Sequence, residues 1–280
     1  MLGLPITEIV LLIFIMASYL AAAMVGVLQL LTAGERYKPL LLPFVSLALI
    51  LEVVILIFRA VTIKAVPLTG LFEFMIVLTI VFGLVYLYLS TTIRQVWFAS
   101  VMVWIIFAMV LVTVIIAEPA SKMHEVATTP WAIAHGATML LGAASIMFAA
   151  TSAFLYLLGS YRLKRKQIIQ VLGRVPNIEK LERMILVGGG VGFVLIALGI
   201  ISGIGLVLAM KTSILEWLSD IKVISILTAW ILLGVELGLG RFSLIKGKVK
   251  AYITMIVFVL ILFAIVGVTI LGITRHDFAL

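Results

Sequence analysis

The sequence predicts an all-α membrane protein, a polytopic helical bundle in which eight helices cross the bilayer. Hydrophobic residues make up 65% of the 280 residues, and only 11% are charged. With a mean hydropathy of +1.36, the chain has far more apolar surface than a soluble core of this length could bury. The apolar runs are about 20 to 28 residues long, which matches a hydrocarbon core of roughly 30 Å. We therefore predict a single integral membrane domain over residues 1–280.

The first span is expected at about residues 5–31. It lacks a basic segment before it and is too long for the apolar part of a signal peptide, so we expect it to remain as a helix. The other seven spans are expected at about residues 40–63, 68–89, 96–117, 131–158, 184–210, 221–239 and 251–273. In the loop before the sixth span, Asn177 is a candidate helix N-cap.

Basic residues predict the orientation of these spans. Residues 159–183 carry seven lysine and arginine residues, and the positive-inside rule makes this segment a cytoplasmic loop. Alternation of the spans then puts both termini and all three histidines on the extracytoplasmic side. We expect a multi-pass protein of the plasma membrane, with the lipid bilayer as its surroundings.

Composition also argues against two classes of function. The net charge of +8 could suggest nucleic-acid binding, but the basic residues lie beside the spans, where topology and anionic lipid account for them. We therefore expect no nucleic-acid partner. Because the chain has no cysteine, it has no thiolate metal site and no thiol redox chemistry of its own. Any reductive step then needs a partner.

Two histidines are expected at the same face of the membrane, at the ends of different spans. His135 lies about one turn inside the fifth span, with Trp131 one turn above it, and His276 follows the eighth span. Two imidazoles that face one pocket could hold a haem iron from both sides. Taken singly, His135 could be a satisfied polar residue and His276 a solvated tail residue.

The loop between the sixth and seventh spans could complete such a pocket. The face of Trp217 can stack on a planar macrocycle, and Lys211, Lys222 or Arg275 could pair with haem propionates. The plainer alternatives are that Trp217, like Trp131, anchors the membrane interface and that Asp220 caps the seventh span. On the same side, His124 is a rival iron ligand, although its polar loop favours solvation.

Three glutamates lie within predicted spans, where each is costly without a partner. Glu73 is close to the outer surface and could cap its helix, pair with Arg59 or line the pocket. Glu52 and Glu236 lie deeper. They could form a proton or quinone site, or hydrogen-bond to a neighbouring helix.

Four separate segments carry motifs of a known membrane family. Residues 66–74, V-P-L-T-G-L-F-E-F, look like its F-P-L-S-N-L-Y-E-S segment, and residues 130–135 look like its S-x-W-L-x-x-H-V helix. Residues 201–203 match the small-residue approach to its tryptophan-rich loop, and residues 267–276 are similar to its G-V-N-x-L-x-x-x-L-H ending. The chain therefore resembles the CcsA/HemX-like cytochrome c assembly family over most of its length.

The family's W-x-W-D-P-K-E signature is partly kept. Trp217 matches its first tryptophan, Ser219 stands in place of the second, and D-I-K at residues 220–222 replaces D-P-K. Trp230 agrees in spacing with the tryptophan that follows the signature. Members of the family also carry histidines within the membrane, and the best-aligned places here hold Glu52 and Gly238.

The resemblance implies a membrane haem-handling protein of cytochrome c biogenesis. His135 and His276 would be the axial ligands of a non-covalent b-type haem that is presented to apocytochrome c, together with a second membrane subunit. Whether the chain is itself catalytic, as part of a haem-lyase or synthase system, stays open. Two other functions also stay open. One is a non-enzymatic HemX-like regulator or membrane anchor of a respiratory complex, and the other is an ion or solute transporter that uses the buried glutamates.

Overall fold

The structure is a computed structural model that describes residues 4–32, 37–64, 70–93, 95–116, 119, 129–166, 175–242 and 244–272. Within these ranges the protein is helical and contains no strand. Eight of the described helices are long and apolar enough to cross a membrane. The predicted all-α class with eight membrane helices is therefore confirmed. The side on which the termini lie stays a prediction.

The helices follow one another in the order that the apolar runs predict. Their bounds are α1 Ile6–Thr32, α2 Lys38–Ile63, α3 Leu71–Thr92, α4 Val96–Ile116, α5 Pro130–Lys164, α6 Ile178–Ala209, the short α7 Ile214–Leu218, α8 Ile221–Arg241, and α9 Gly247–Leu262. A π-helical turn, Phe263–Gly267, joins α9 to α10, Val268–Leu271. Together these three form one apolar span, Gly247–Leu271.

Two helices extend into the segment expected as the basic loop at residues 159–183. α5 runs on to Lys164, with Arg162 and Lys164 in its last turn, where cations interact favourably with the helix dipole. α6 begins at Ile178 because Asn177 caps it: the Asn177 side chain accepts a hydrogen bond from the backbone N–H of Lys180 at 2.8 Å. The predicted N-cap is confirmed. Hydropathy marks where the apolar residues end, and these helices continue beyond that point.

The chain divides into two compact units. Unit 1 comprises Met1–Met123 and Arg162–Pro176, and unit 2 comprises His124–Tyr161 and Asn177–Leu280. In unit 1, α1 packs against α2 and α4, and α3 packs against α2 and α4. Gly26 of α1 lies against α4, where Ser100 Oγ donates a hydrogen bond to Gly26 O at 3.1 Å.

Buried acidic groups of unit 1 have partners on neighbouring helices. Glu52 of α2 accepts hydrogen bonds from Tyr19 on α1 at 2.9 Å and from Thr79 on α3 at 2.7 Å. Near the start of α3, Arg59 Nε donates to Glu73 Oε1 at 2.8 Å, and Arg59 Nη1 lies 3.5 Å from Glu8 Oε2. The contacts of Glu52 therefore link three helices of the unit.

In unit 2, glycines of α6 determine how closely α5 packs against it. Side chains of α5 fill the space that a Cβ atom would occupy at these glycines. The contacts continue along most of the length of the two antiparallel helices. From one end to the other, the pairs are Gly188 with Phe148, Gly192 with Ile146, Gly199 with Met139, Gly203 with His135, and Gly205 with Trp131. This register puts His135 near the end of α6 that leads into α7.

The other face of α6 packs against α8. The rings of Phe193 and Trp230 stack at a centroid distance of 5.0 Å, and Trp230 Nε1 donates a hydrogen bond to Phe193 O at 3.1 Å. Farther along α8, the buried Glu236 accepts a hydrogen bond from Thr254 Oγ1 of α9, which lies 3.1 Å from both carboxylate oxygens. Lys250 Nζ of α9 pairs with Glu182 Oε1 of α6 at 2.7 Å.

Candidate functional site

His135 is half-buried in the second turn of α5, and its ring is held by α6. The Nδ1 atom lies 2.7 Å from the backbone carbonyl oxygen of Gly199. A carbonyl oxygen can only accept a hydrogen bond, so Nδ1 must carry the proton and donate it. In the neutral ring this leaves the lone pair of Nε2 available to a metal ion. A hydrogen bond from the other ring nitrogen to a carbonyl is the usual way in which proteins orient a ligating histidine.

Gly203 lets two aromatic rings lie against the same point of α6. A Cβ atom at this position would lie 3.1 Å from both Cε1 and Nδ1 of His135, and 3.3 Å from Cζ2 of Trp217. These distances are shorter than ordinary van der Waals contact between carbon atoms. The absence of a side chain at Gly203 therefore allows His135 and Trp217 to approach the helix together.

Trp131 lies one turn before His135 and also packs against α6. A Cβ atom at Gly205 would lie 2.7 Å from Cζ3 of the Trp131 ring. The residue nevertheless remains 47% exposed. One part of the indole is thus covered by α6, while the rest is open to the surroundings of unit 2. This arrangement combines helix packing with the interfacial position that the sequence suggests for Trp131.

Trp217 and Asp220 lie where α6 turns into α8. Trp217 is on α7, which is capped by Ser213 and exposes the apolar side chains of Ile214, Leu215 and Leu218. Asp220 is buried and is the N-cap of α8, because its Oδ1 accepts a hydrogen bond from the backbone N–H of Lys222 at 2.8 Å. The hydrogen bond therefore shows that Asp220 caps this helix, which was one of the two alternatives from the sequence.

Lys222 adds a cation to this group of residues. Its side chain is largely buried at the first turn of α8, and it is close enough to His135 for a Coulombic interaction. The site of unit 2 thus contains one imidazole, two indoles, the carboxylate of Asp220 and the ammonium of Lys222. A flat ligand with anionic substituents is the class of molecule that suits this combination.

The other predicted site residues are His124, His276, Arg59 and Glu73. His124 and His276 lie outside the described residues, whose last member is Gly272, the left-handed C-cap of α10 with φ +59°. The role of each therefore stays a prediction. Arg59 and Glu73 pair with each other in unit 1, whereas His135, Trp131, Trp217 and Asp220 belong to unit 2.

The described residues contain no group of three or more His, Asp or Glu side chains that could hold a bare metal ion. Haem iron has a different requirement, since the porphyrin supplies four nitrogens and the protein needs to supply only axial ligands. The residues around His135 therefore fit haem, because the imidazole could supply one axial nitrogen.

Sequence reasoning missed two features of α6 that hold His135. These are the carbonyl of Gly199 and the space left by Gly203. Their signal is in the sequence, because Gly199 and Gly203 have the four-residue spacing at which small residues bring membrane helices close together. The spacing indicates a close contact but does not reveal which residue makes it.

A comparison with known families gives a match that spans most of the chain. The family model described as Cytochrome C assembly protein matches residues 44–276 of the chain. The match includes α5 to α8, which carry the whole group around His135, and it reaches His276. No curated protein and no solved structure has significant similarity to the chain.

Proposed function

Because the chain belongs to the cytochrome c assembly protein family, we propose that it binds haem beside His135 and presents it for attachment to apocytochrome c. The chain is a multi-pass membrane protein with a role in cytochrome c biogenesis. Haem handling and apocytochrome c are associated with the family. Haem is the cargo here: it supplies the porphyrin that becomes attached, and the residues of the chain hold and orient it.

The orientation of His135 is the observation that carries the proposal. The 2.7 Å hydrogen bond from Nδ1 to Gly199 O leaves Nε2 as the ring nitrogen that could bind the haem iron. Trp217 packs against the same point of α6 as His135, so that its indole could contact a porphyrin bound at the imidazole. We propose His276 as the second axial ligand, since haem sites commonly use two protein side chains.

Trp131, Trp217 and Lys222 would contact the porphyrin rather than the iron. An indole face stacks on a flat macrocycle, and each such contact contributes about 0.5–1.5 kcal/mol beyond the area that it buries. Lys222 would pair with a propionate. Asp220 supports the site by capping α8, and so by positioning Lys222 at the first turn of that helix.

The cellular setting belongs to the same proposal. The basic residues predict that the His135 end of α5 faces the extracytoplasmic side of the plasma membrane, where apocytochrome c would receive haem. A second membrane subunit would supply contacts to apocytochrome c. The buried carboxyls Glu52 and Glu236 accept hydrogen bonds from neighbouring helices, which favours a helix-linking role over an ion path.

Haem titration of the purified full-length chain tests the proposal. We expect binding with the Soret band of low-spin haem in the unmodified protein and in His124→Ala, the matched control. His135→Ala and His276→Ala should each lose the low-spin band or bind haem at least about tenfold more weakly. Added imidazole should restore the low-spin spectrum of these two variants. A chain that gives no Soret band, or variants that keep the unmodified spectrum, would contradict haem ligation by these residues.

Deletion of the gene in its native cell distinguishes a role in cytochrome c assembly from a HemX-like regulation of haem synthesis. If the chain presents haem for attachment, deletion should lower covalently bound cytochrome c haem while free haem stays normal. Restoration by the His124→Ala variant but not by His135→Ala would support the site. A fall in total haem with the attachment step intact would support the HemX-like regulator instead.

A further inference from the structure

An open cavity of about 500 Å³ lies in unit 2 at the end of α6 opposite to His135. Its lining combines an apolar part with charged groups: Phe148, Asn177, Glu179, Lys180, Arg183, Met184 and Val187. Val187 lies nearly three turns along α6 from Asn177, which corresponds to about 15 Å of helix axis. The cavity therefore runs from the charged start of α6 toward the middle of an apolar span.

The two cations of the cavity are available to a ligand. Within the described residues, the side chains of Lys180 and Arg183 have no ion-pair or hydrogen-bond partner. Arg183 is exposed and Lys180 is half-buried. Lys250 of α9 behaves differently, since it is buried and paired with Glu182 of α6 at 2.7 Å. Glu179 is the acidic group of the lining, so the charged part of the cavity remains net positive.

The apolar part begins where the charges end. Phe148 of α5 is held against α6, because its Cδ1 would lie 2.9 Å from a Cβ atom at Gly188. Val187 is 56% exposed although it lies within a candidate span. Phe148, Met184 and Val187 thus provide a continuous apolar surface directly next to two cations. A ligand that matches both parts must be an amphiphile with an anionic head.

We propose that this cavity binds an anionic phospholipid of the adjacent leaflet. Lys180 and Arg183 would contact the headgroup phosphate, and the acyl chains would lie along Phe148, Met184 and Val187. Both cations lie in the first two turns of a candidate span, where basic residues favour anionic lipid. The lipid would fix the position of the start of α6, the helix that also holds His135 at its other end.

Lipid titration of the purified full-length chain, followed by native mass spectrometry, tests this site. Dioleoyl phosphatidylglycerol is the probe and dioleoyl phosphatidylcholine is the neutral comparison. Each cation beside an anionic headgroup accounts for a roughly fivefold change in affinity. The double variant Lys180→Gln/Arg183→Gln should therefore bind phosphatidylglycerol about 30-fold more weakly, with binding of phosphatidylcholine unchanged.

Three further variants keep the result interpretable. Arg241→Gln/Lys246→Gln removes the same charge outside the cavity lining and should retain the affinity of the unmodified chain. Glu179→Gln should bind phosphatidylglycerol about fivefold more tightly, a gain that misfolding cannot produce. Met184→Trp reduces the apolar volume without changing charge and should weaken binding of the lipid.

The proposal is overturned if the unmodified chain binds both lipids equally, or if the control double variant loses as much affinity as the cavity variant. Glycerol phosphate distinguishes a lipid from a soluble anion, because it carries the headgroup charge without acyl chains. Failure of glycerol phosphate to displace phosphatidylglycerol supports the lipid site. Displacement at equal concentration would assign the cavity to a soluble phosphate and overturn the proposal.

Discussion

Substituting alanine for Gly203 adds one methyl group at the point where α6 meets the candidate haem ligand. The new Cβ would lie 3.1 Å from two atoms of the His135 ring and 3.3 Å from the Trp217 ring. Both rings must then retreat by a few tenths of an ångström. Since His135 Nδ1 donates to Gly199 O at 2.7 Å, the retreat lengthens the hydrogen bond that orients Nε2.

The expected cost follows from this local crowding. Overpacking a well-packed site by one methyl group costs about 1–3 kcal/mol, and an intramolecular hydrogen bond contributes about 1 kcal/mol net. If this cost of about 1–3 kcal/mol opposes the ring position of His135 that binds haem, the haem affinity should decrease by roughly 5- to 150-fold. The low-spin Soret band should weaken in parallel, because a displaced imidazole is a poorer axial ligand.

Gly190 provides a matched control on the same helix. No atom lies within 4 Å of a Cβ built at Gly190, so Gly190→Ala adds the same methyl group without crowding. It should leave haem affinity unchanged and should stabilise α6 by up to about 1 kcal/mol, through the higher helix propensity of alanine.

Haem dissociation constants and thermal denaturation of both variants in detergent provide the comparison. If Gly203→Ala binds haem as tightly as the unmodified chain, the contact between Gly203 and His135 does not orient the ligand. If Gly190→Ala loses the same affinity, the effect belongs to α6 as a whole and the reasoning from the contact is refuted.

Three further predictions concern the contacts that stabilise each unit. Arg59→Met removes the guanidinium that two buried carboxylates contact; it should cost about 3–5 kcal/mol of unfolding free energy, whereas the exposed Arg241→Met should change it by less than about 0.5 kcal/mol. Equal losses for the two variants in denaturant titrations would show that the buried cluster contributes nothing to the free energy of unfolding. Trp230→Phe keeps the stack on Phe193 but loses the hydrogen bond, so it should cost about 1 kcal/mol, against about 3–5 kcal/mol for Trp230→Ala; similar losses would mean that stacking is unimportant. Asp220→Asn retains a capping oxygen and should leave stability and haem binding nearly unchanged, while Asp220→Ala should cost about 1 kcal/mol. Haem binding that is lost in Asp220→Asn would instead assign a role to the carboxylate charge.

The sequence was sufficient to predict an all-helical protein with eight helices that are long and apolar enough to cross a membrane. A span is a run of about 20 apolar residues, so it can be recognised without knowing which helices meet. The cap at Asn177 is equally local, because its partner is the backbone of Lys180. The fifth helix continues past residue 158 to Lys164, and the sixth begins before residue 184, at Ile178. Hydropathy detects the membrane-embedded part of a helix and not its charged extension.

The motifs around His135 and Trp217 also indicated which residues to consider at the site. They did so because the residue types and their spacing agree with the motifs of the family, even where the tryptophan signature is incomplete. His135, Trp131 and Trp217 could thus be named as candidates from sequence. The contacts of these three residues with the Gly199 to Gly205 segment of α6 could not be predicted.

Only the tertiary structure decided which side chains meet across helices. Glu52 finds its partners on α1 and α3, Glu73 pairs with Arg59, and His135 donates to a carbonyl far along the chain. Such pairings depend on how each helix is rotated about its axis and shifted along its neighbour. Hydropathy in an almost uniformly apolar helix carries little information on either quantity, so the small residues and buried hydrogen bonds of the folded protein determine them.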